Sequence, residues 1–295
     1  MTPPASANIK DENPQTTCAI TVYSDRASNY DSATGGWHVE LGQDFAHWIA
    51  PAPGSAVLDL ACGTGLVTLP MAAAVGRTGV VVGVDVTAAM LDVARRKELP
   101  EGAARVEWVE ADITGGLGEV EAVRRVVGER GGFDVVSCCS ALVLLGEPMS
   151  VVGKWASLLR EGGRLIVDVP TEQRTLQYLF TVALREKLGM ALPFDRDWVR
   201  GMGSLEKVYE EVGLVVEKSW KTRSYVPERW YEDEESVREE VFDRQTRDMY
   251  LEFKREGRLE EVRSAWREVW RLGVVDGMGR VYEGHPLYVC IGRRR

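Results

Sequence analysis

The residues of this chain whose types and spacing point most directly to chemistry are Asp59, Gly63, Gly65, Asp85 and Asp112. Asp59 stands inside an apolar run, Val57-Leu58-Asp59-Leu60, that falls into Cys-Gly-Thr-Gly at 62–65. Glycines in a turn after a strand let the backbone approach a ligand with no Cβ in the way. A dinucleotide turn needs a third glycine three positions after the second. That position is Thr68, and no Gly-Lys-Ser/Thr of a phosphate loop follows. A buried carboxylate such as Asp59 is costly unless it meets a cation or several donors. It either supports a ligand or caps the turn that follows it. Asp85 and Asp112 each stand where a further apolar run ends, at VVGVDVT (81–87) and VEADIT (109–114). Asp85 is a ligand acid or a solvated loop acid. Asp112 is a ligand contact or a helix cap, since Asp and Thr both suit that place. Only three histidines are present, His38, His47 and His285. His38 and His285 are the candidate proton acceptors, each equally readable as structural, and Glu283 and Asp168 are further candidates. His47, beside Trp48, reads as structural or solvated.

These residues hang on alternating strand and helix patterns. Strands are expected over 56–62, 79–86, 104–113, 133–139 and 164–170. Helices are expected over 66–76, 88–99, 118–130 and 149–162, the last ended by Gly162-Gly163. The strands are nearly continuous in Val, Ile and Leu, as strands covered on both faces are. Alternation of this kind gives a parallel sheet with right-handed crossovers. A helix over 39–49 leads into the first strand. After Pro170 the pattern changes: helical segments over 171–212 with a loop near 192–194, a strand over 214–226, two charged helices over 234–253 and 258–272, and a last strand over 286–292. In the second of those helices Leu259, Val262, Trp266, Val269 and Trp270 recur at helical spacing.

The net charge of −9 speaks against a phosphate backbone as partner, because that binding is driven by Lys and Arg. No apolar stretch approaches the roughly 20 residues of a bilayer span. Five cysteines without a C-x-x-C spacing suggest neither a zinc site nor a disulfide framework, so a reducing, cytoplasmic setting is expected. Cys62, Cys138, Cys139 and Cys290 read as small core residues. The polar opening residues fit neither a secretory nor a transit peptide, and residues 1–20 are expected to be a disordered tail, part of which could order over a ligand.

In order and spacing, VLDLACGTG (57–65), VVGVDVT, VEADIT, FDVVSCCSALVLL (133–145) and LLREGGRLIVDVP (158–170) resemble the class I S-adenosylmethionine-dependent methyltransferases. The resemblance covers about residues 40–170. Its closest flavour is the small-molecule enzymes related to quinone biosynthesis and natural-product tailoring. It implies an α/β, Rossmann-like doubly wound sheet of seven strands in order 3-2-1-4-5-7-6, strand 7 antiparallel, with helical lid insertions. Residues 21–295 would form one domain with lid segments 21–50, 171–212 and 227–284.

The resemblance also implies S-adenosylmethionine as cofactor. Asp59 would lie near its amino-acid end, Asp85 would accept both ribose hydroxyls, and Asp112 with Ile113 would meet the adenine edge. Ala61, Gly63, Gly65, Val86, Met90 and Ser140 complete that set, with Tyr30 and Trp37 closing over it. Trp230, Tyr231 and Tyr282 are the expected acceptor contacts, pointing to an apolar or aromatic small molecule. The fourth strand ends Cys-Cys-Ser-Ala, not Asn/Asp-Pro-Pro-Tyr, which argues against amino-purine methylation. In-line methyl displacement in a lidded, dry site is the expected reaction, with His38 or His285 as base for a hydroxyl acceptor. No metal is called for. A homodimer is left open, as is a protein that binds the cofactor but cyclises its substrate or regulates a partner.

Overall fold

The computed structural model describes residues 14–32, 35–172, 176–189, 197–233, 235–237, 256–272 and 280–295. Its centre is a seven-stranded sheet. The strands are β1 (Ala56–Leu60), β2 (Val80–Asp85), β3 (Val106–Glu110), β4 (Phe133–Cys138), β5 (Leu159–Pro170), β6 (Leu214–Lys221) and, last in the chain, β9 (Leu287–Arg294). Their order is β3-β2-β1-β4-β5-β9-β6. β9 runs antiparallel to both of its neighbours, and the other pairings are parallel. This is the expected order, with β9 as its seventh member. Two short strands, β7 (Arg229–Tyr231) and β8 (Val281–Glu283), pair antiparallel in a separate ribbon that the sequence reading did not foresee.

All five residues of β1, Asp59 included, are buried. Two apolar cores result, one on each face of the sheet. Leu58, Leu60, Val136 and Trp155 pack on one face. Phe45, Ile49, Val57, Met71 and Val135 pack on the other. The helices are α1 (Pro14–Arg26), α2 (Trp37–Ile49), α3 (Thr68–Val75), α4 (Ala88–Arg96), α5 (Glu121–Arg130), α6 (Pro148–Ser157), α7 (Leu176–Val182), α8 (Met202–Glu211) and α9 (Leu259–Leu272). A third cluster gathers Leu176, Leu179, Tyr231, Val262, Trp266 and Val281 away from the sheet. Among the described residues no helix is long and apolar enough to cross a membrane.

Three local expectations change. The tail expected over 1–20 gives way to helix α1 from Pro14 onward. Helix α6 stops at Ser157, short of Gly162-Gly163. Those glycines lie inside β5, where a Cβ on Gly163 would meet the Phe133 carbonyl oxygen at 2.6 Å and the register with β4 slips. The helix expected over 234–253 lies largely outside the described residues.

Candidate active site

The carboxyl ends of β1, β2 and β4, with the loop after β3, surround one cleft. Such crevices form where the strand order of an open sheet reverses, here between β1 and β4.

Asp85 closes β2 and is 8% exposed. Its Oδ2 accepts the Gly63 N–H and its Oδ1 the Thr87 N–H, each at 2.8 Å. The carboxyl thus ties the turn after β1 to the start of α4. Burial raises its pKa despite these bonds. Gly63 has φ +54°, and a Cβ built on it meets no protein atom within 4 Å, so a side chain there would stand in open space at the cleft's edge. Ala61 (φ 51°) and Ser140 (φ 56°) also line the cleft in left-handed conformations that residues with a Cβ seldom adopt. Strain of this kind concentrates where backbone must face a ligand. The N–H of Ser140 is held at 2.7 Å by Asp168 Oδ1 from the end of β5.

Asp112 lines the cleft and also caps the turn that follows it. Its Oδ1 accepts the backbone N–H and hydroxyl of Thr114, both at 2.7 Å, which caps the turn after β3. Its Oδ2 accepts the Thr16 hydroxyl at 2.9 Å and so fastens α1 across the cleft. Val86, Met90, Ile113 and Tyr30 line the cleft as expected. The sequence reading missed Thr16, Ala19 and Tyr23, which reach it from α1, and Leu144 and Leu145 beyond β4. Cys139 lines it too, with its thiol pKa pushed well up by burial, the opposite of an activated nucleophile.

Several expected contacts lie elsewhere. Asp59 is not part of the cleft wall. It is 1% exposed, and its two oxygens take the hydroxyls of Thr68 (2.5 Å) and Ser137 (2.7 Å). Its pKa rises to about 6, chiefly through burial. Gly65 faces Trp108, whose Cη2 would lie 2.8 Å from a Cβ there, so this glycine serves packing. Trp37 stacks on His38 with centroids 3.6 Å apart and sits 4.6 Å from His285, outside the cleft wall. Tyr30 bridges the two regions, lining the cleft while its ring lies 4.8 Å from His38. The two candidate bases therefore both lie against Trp37.

The acceptor residues expected on the insertion are not brought to the cleft. Tyr231 belongs to the third core and gives its hydroxyl to Glu283 Oε2 at 2.6 Å. Tyr282 gives its hydroxyl to Glu228. Trp230 is 48% exposed, between the Tyr282 ring (5.2 Å) and the Arg280 guanidinium (5.0 Å). The reason is the β7–β8 pairing, which opposes Trp230 to Tyr282 and Tyr231 to Val281 in a ribbon of its own.

The cleft's glycine turn, its strand-end acid and its capped Asp112 loop fall within residues 57–163, which match the family model described as a methyltransferase domain. Over those residues the chain is similar to methyltransferase domains. It is similar to aklanonic acid methyltransferase DauC of Streptomyces sp. (strain C5), at 25% identity over 50% of this chain and 63% of that one. It is also similar to nocamycin O-methyltransferase of Saccharothrix syringae, at 30% identity over 53% and 52%. The chain spans about half the length of the curated relatives it matches first. Among solved structures, a putative methyltransferase of Bacillus halodurans superposes with a TM-score of 0.56 at 22% identity, over 85% of this chain and 98% of that one. The [4+2]-cyclase SpnF superposes with 0.58 at 14% identity, over 95% and 97%. At those identities the structural likenesses speak for the methyltransferase fold.

Proposed function

We propose that this protein binds S-adenosylmethionine in the cleft and transfers its methyl group to a small, apolar or aromatic molecule. One observation carries this reading. Asp85, buried at the end of β2, lies against the left-handed Gly63 turn at the wall of the cleft. Each Asp85 oxygen accepts a backbone N–H, and a carboxylate at that place is the acceptor that neighbouring hydroxyls of a ribose would need. The cofactor, when bound, supplies a methyl already activated on a sulfonium.

The chain's own part is to hold, cover and accept a proton. Asp112 and Ile113 border the end assigned to a base edge. Helix α1 roofs the cleft through Thr16, Ala19 and Tyr23 and keeps water out. Burial, then the nearby His285 and Arg26, lowers the pKa of His38 to about 3. An imidazole that weakly basic is a poor proton acceptor near neutrality. We therefore assign the base to His285, with His38 and Trp37 as its backing. The His285 N–H donates to Ser224 Oγ at 2.8 Å, which anchors its backbone beside β6. The relatives named for aklanonic acid and nocamycin support a small acceptor. The net charge of −9 disfavours nucleic acid, and the setting on this reading is cytoplasmic.

The test is to incubate the protein with S-adenosylmethionine and a panel of phenols, quinols and enolic acids. Mass spectrometry should show products heavier by one methylene, with adenosylhomocysteine formed in equal amount. A fold shared with a cyclase makes the other outcome concrete. A rearranged product of unchanged mass, with no adenosylhomocysteine, would sink the transferase reading.

A further inference from the structure

Three buried carboxyl groups crowd the strand ends beneath the cleft: Asp59 on β1, Asp85 on β2 and Asp168 on β5. Their fields overlap at the Cys138 thiol, whose pKa is pushed up by burial and by all three acids. No lysine or arginine is among the leading influences on Asp59, Asp85 or Asp168. Their partners are neutral. Asp59 takes two hydroxyls and Asp85 two backbone N–H groups. Asp168 differs from both. Its Oδ1 accepts the Ser140 N–H, but its Oδ2 is buried with no partner, in a residue 1% exposed.

A bare carboxylate oxygen in such a place is costly, and a proton on it costs less. Asp168 is also one hydrogen bond away from the cleft wall, through Ser140. We propose that Asp168 is the proton-linked group of this cleft, part-protonated near neutrality when the cleft is empty and fully ionised when a positively charged ligand enters, so that binding a cation releases protons to solvent. This rests on the cofactor reading above. A sulfonium cofactor carries one net positive charge near neutrality, and its demethylated product carries none. The cleft thus discriminates between them by charge: methyl loss removes the cation and Asp168 takes a proton back. Asp168 is a positioning residue here, acting through Ser140 and through its charge. Burial sets its pKa at about 7, opposed chiefly by the bond from the Ser140 N–H. The other titratable groups facing it are Cys138 and Tyr209, both neutral because burial holds their pKa values well up.

The experiment is calorimetric titration of the full chain at pH 7 in buffers of different ionisation enthalpy. S-adenosylmethionine should release about half a proton per site, as a group with a pKa near 7 requires when it becomes fully ionised. Adenosylhomocysteine should release less. D168N keeps an oxygen for the Ser140 N–H and should lose this release while still binding adenosylhomocysteine. Infrared difference spectra of the unmutated protein provide a second measurement. A protonated-carboxyl band should vanish on adding S-adenosylmethionine, and its persistence would overturn the inference. Equal proton release by the two ligands, or undiminished release in D168N, would overturn it as well. Binding of both ligands with no proton release would sink this inference alone, whereas failure of both to bind would sink the cofactor reading too.

Discussion

Gly63 and Gly65 stand two residues apart in one turn, yet alanine at each should do opposite things. At Gly65 the backbone has φ +84°, and a Cβ would lie 2.8 Å from Trp108 Cη2 and 3.6 Å from the Ala94 Cβ. Left-handed backbone costs a residue with a Cβ about 1–2 kcal/mol. Forcing a methyl into a packed ring adds about 1–3 kcal/mol. G65A should therefore lose roughly 2–5 kcal/mol of stability, less about 0.4–1 kcal/mol gained by stiffening the unfolded chain. At Gly63 φ is +54° and nothing lies within 4 Å, so only the backbone cost applies and G63A should lose about 1 kcal/mol. Its methyl, however, stands at the edge of the cleft. Affinity for adenosylhomocysteine should fall by at least about tenfold, or roughly 1.4 kcal/mol. Urea unfolding measures the first quantity and calorimetric titration the second. A G65A protein as stable as the parent, or a G63A protein with undiminished affinity, would refute the assignment of Gly65 to packing and Gly63 to the ligand.

Removing the Thr16 hydroxyl takes away the bond to Asp112 Oδ2 that fastens α1. T16V should speed cofactor release several-fold in stopped flow while leaving the unfolding midpoint within about 0.5 kcal/mol of the parent. The ligand-free protein should lose urea stability as pH rises from 4 toward 7. Asp59 and Asp168 have pKa values raised to about 6 and about 7, so the folded state holds protons that the unfolded state has given up. D168N should flatten the upper part of that slope, and a flat curve in the parent would contradict it. Trp230 is half exposed, and its ring meets Tyr282 and Arg280, so W230A should cost under about 1 kcal/mol and leave cofactor affinity unchanged.

The sheet and the Asp85 turn were legible because their signals are local. Val-rich runs ending in Asp85 and in Cys-Gly-Thr-Gly each lie in one short window. Asp59 was legible as buried but not in its role, since its partner Ser137 comes from β4, 78 residues along the chain. Helix α1 was hidden because PQTTCAITVYSDR is polar and weakly amphipathic. Its place comes from tertiary contacts such as Thr16 with Asp112 and Tyr23 with Tyr30, which propensity does not report. Strands β7 and β8 are three residues each, too short for alternation to declare itself, so their aromatic residues were read as facing the cleft. The pairing of His38 with His285 was equally invisible, because it joins the start of α2 to the entrance of β9 through Trp37.

The position of β9 has a consequence for how the molecule is made. Among the described residues β6 pairs with β9 alone, and β5 reaches β6 through it. A chain emerging from the ribosome can therefore assemble β1 to β5 early, with the cleft walls at Ala61, Gly63, Asp85 and Ser140 already in register. β6 must wait for Leu287–Arg294, which then insert between two existing strands and close pairings of long sequence separation. Steps of that kind are slow and leave strand edges exposed meanwhile. Truncation before Leu287 should leave β5 with an unpaired edge and β6 with no sheet to join, so aggregation during synthesis is the failure expected of this fold.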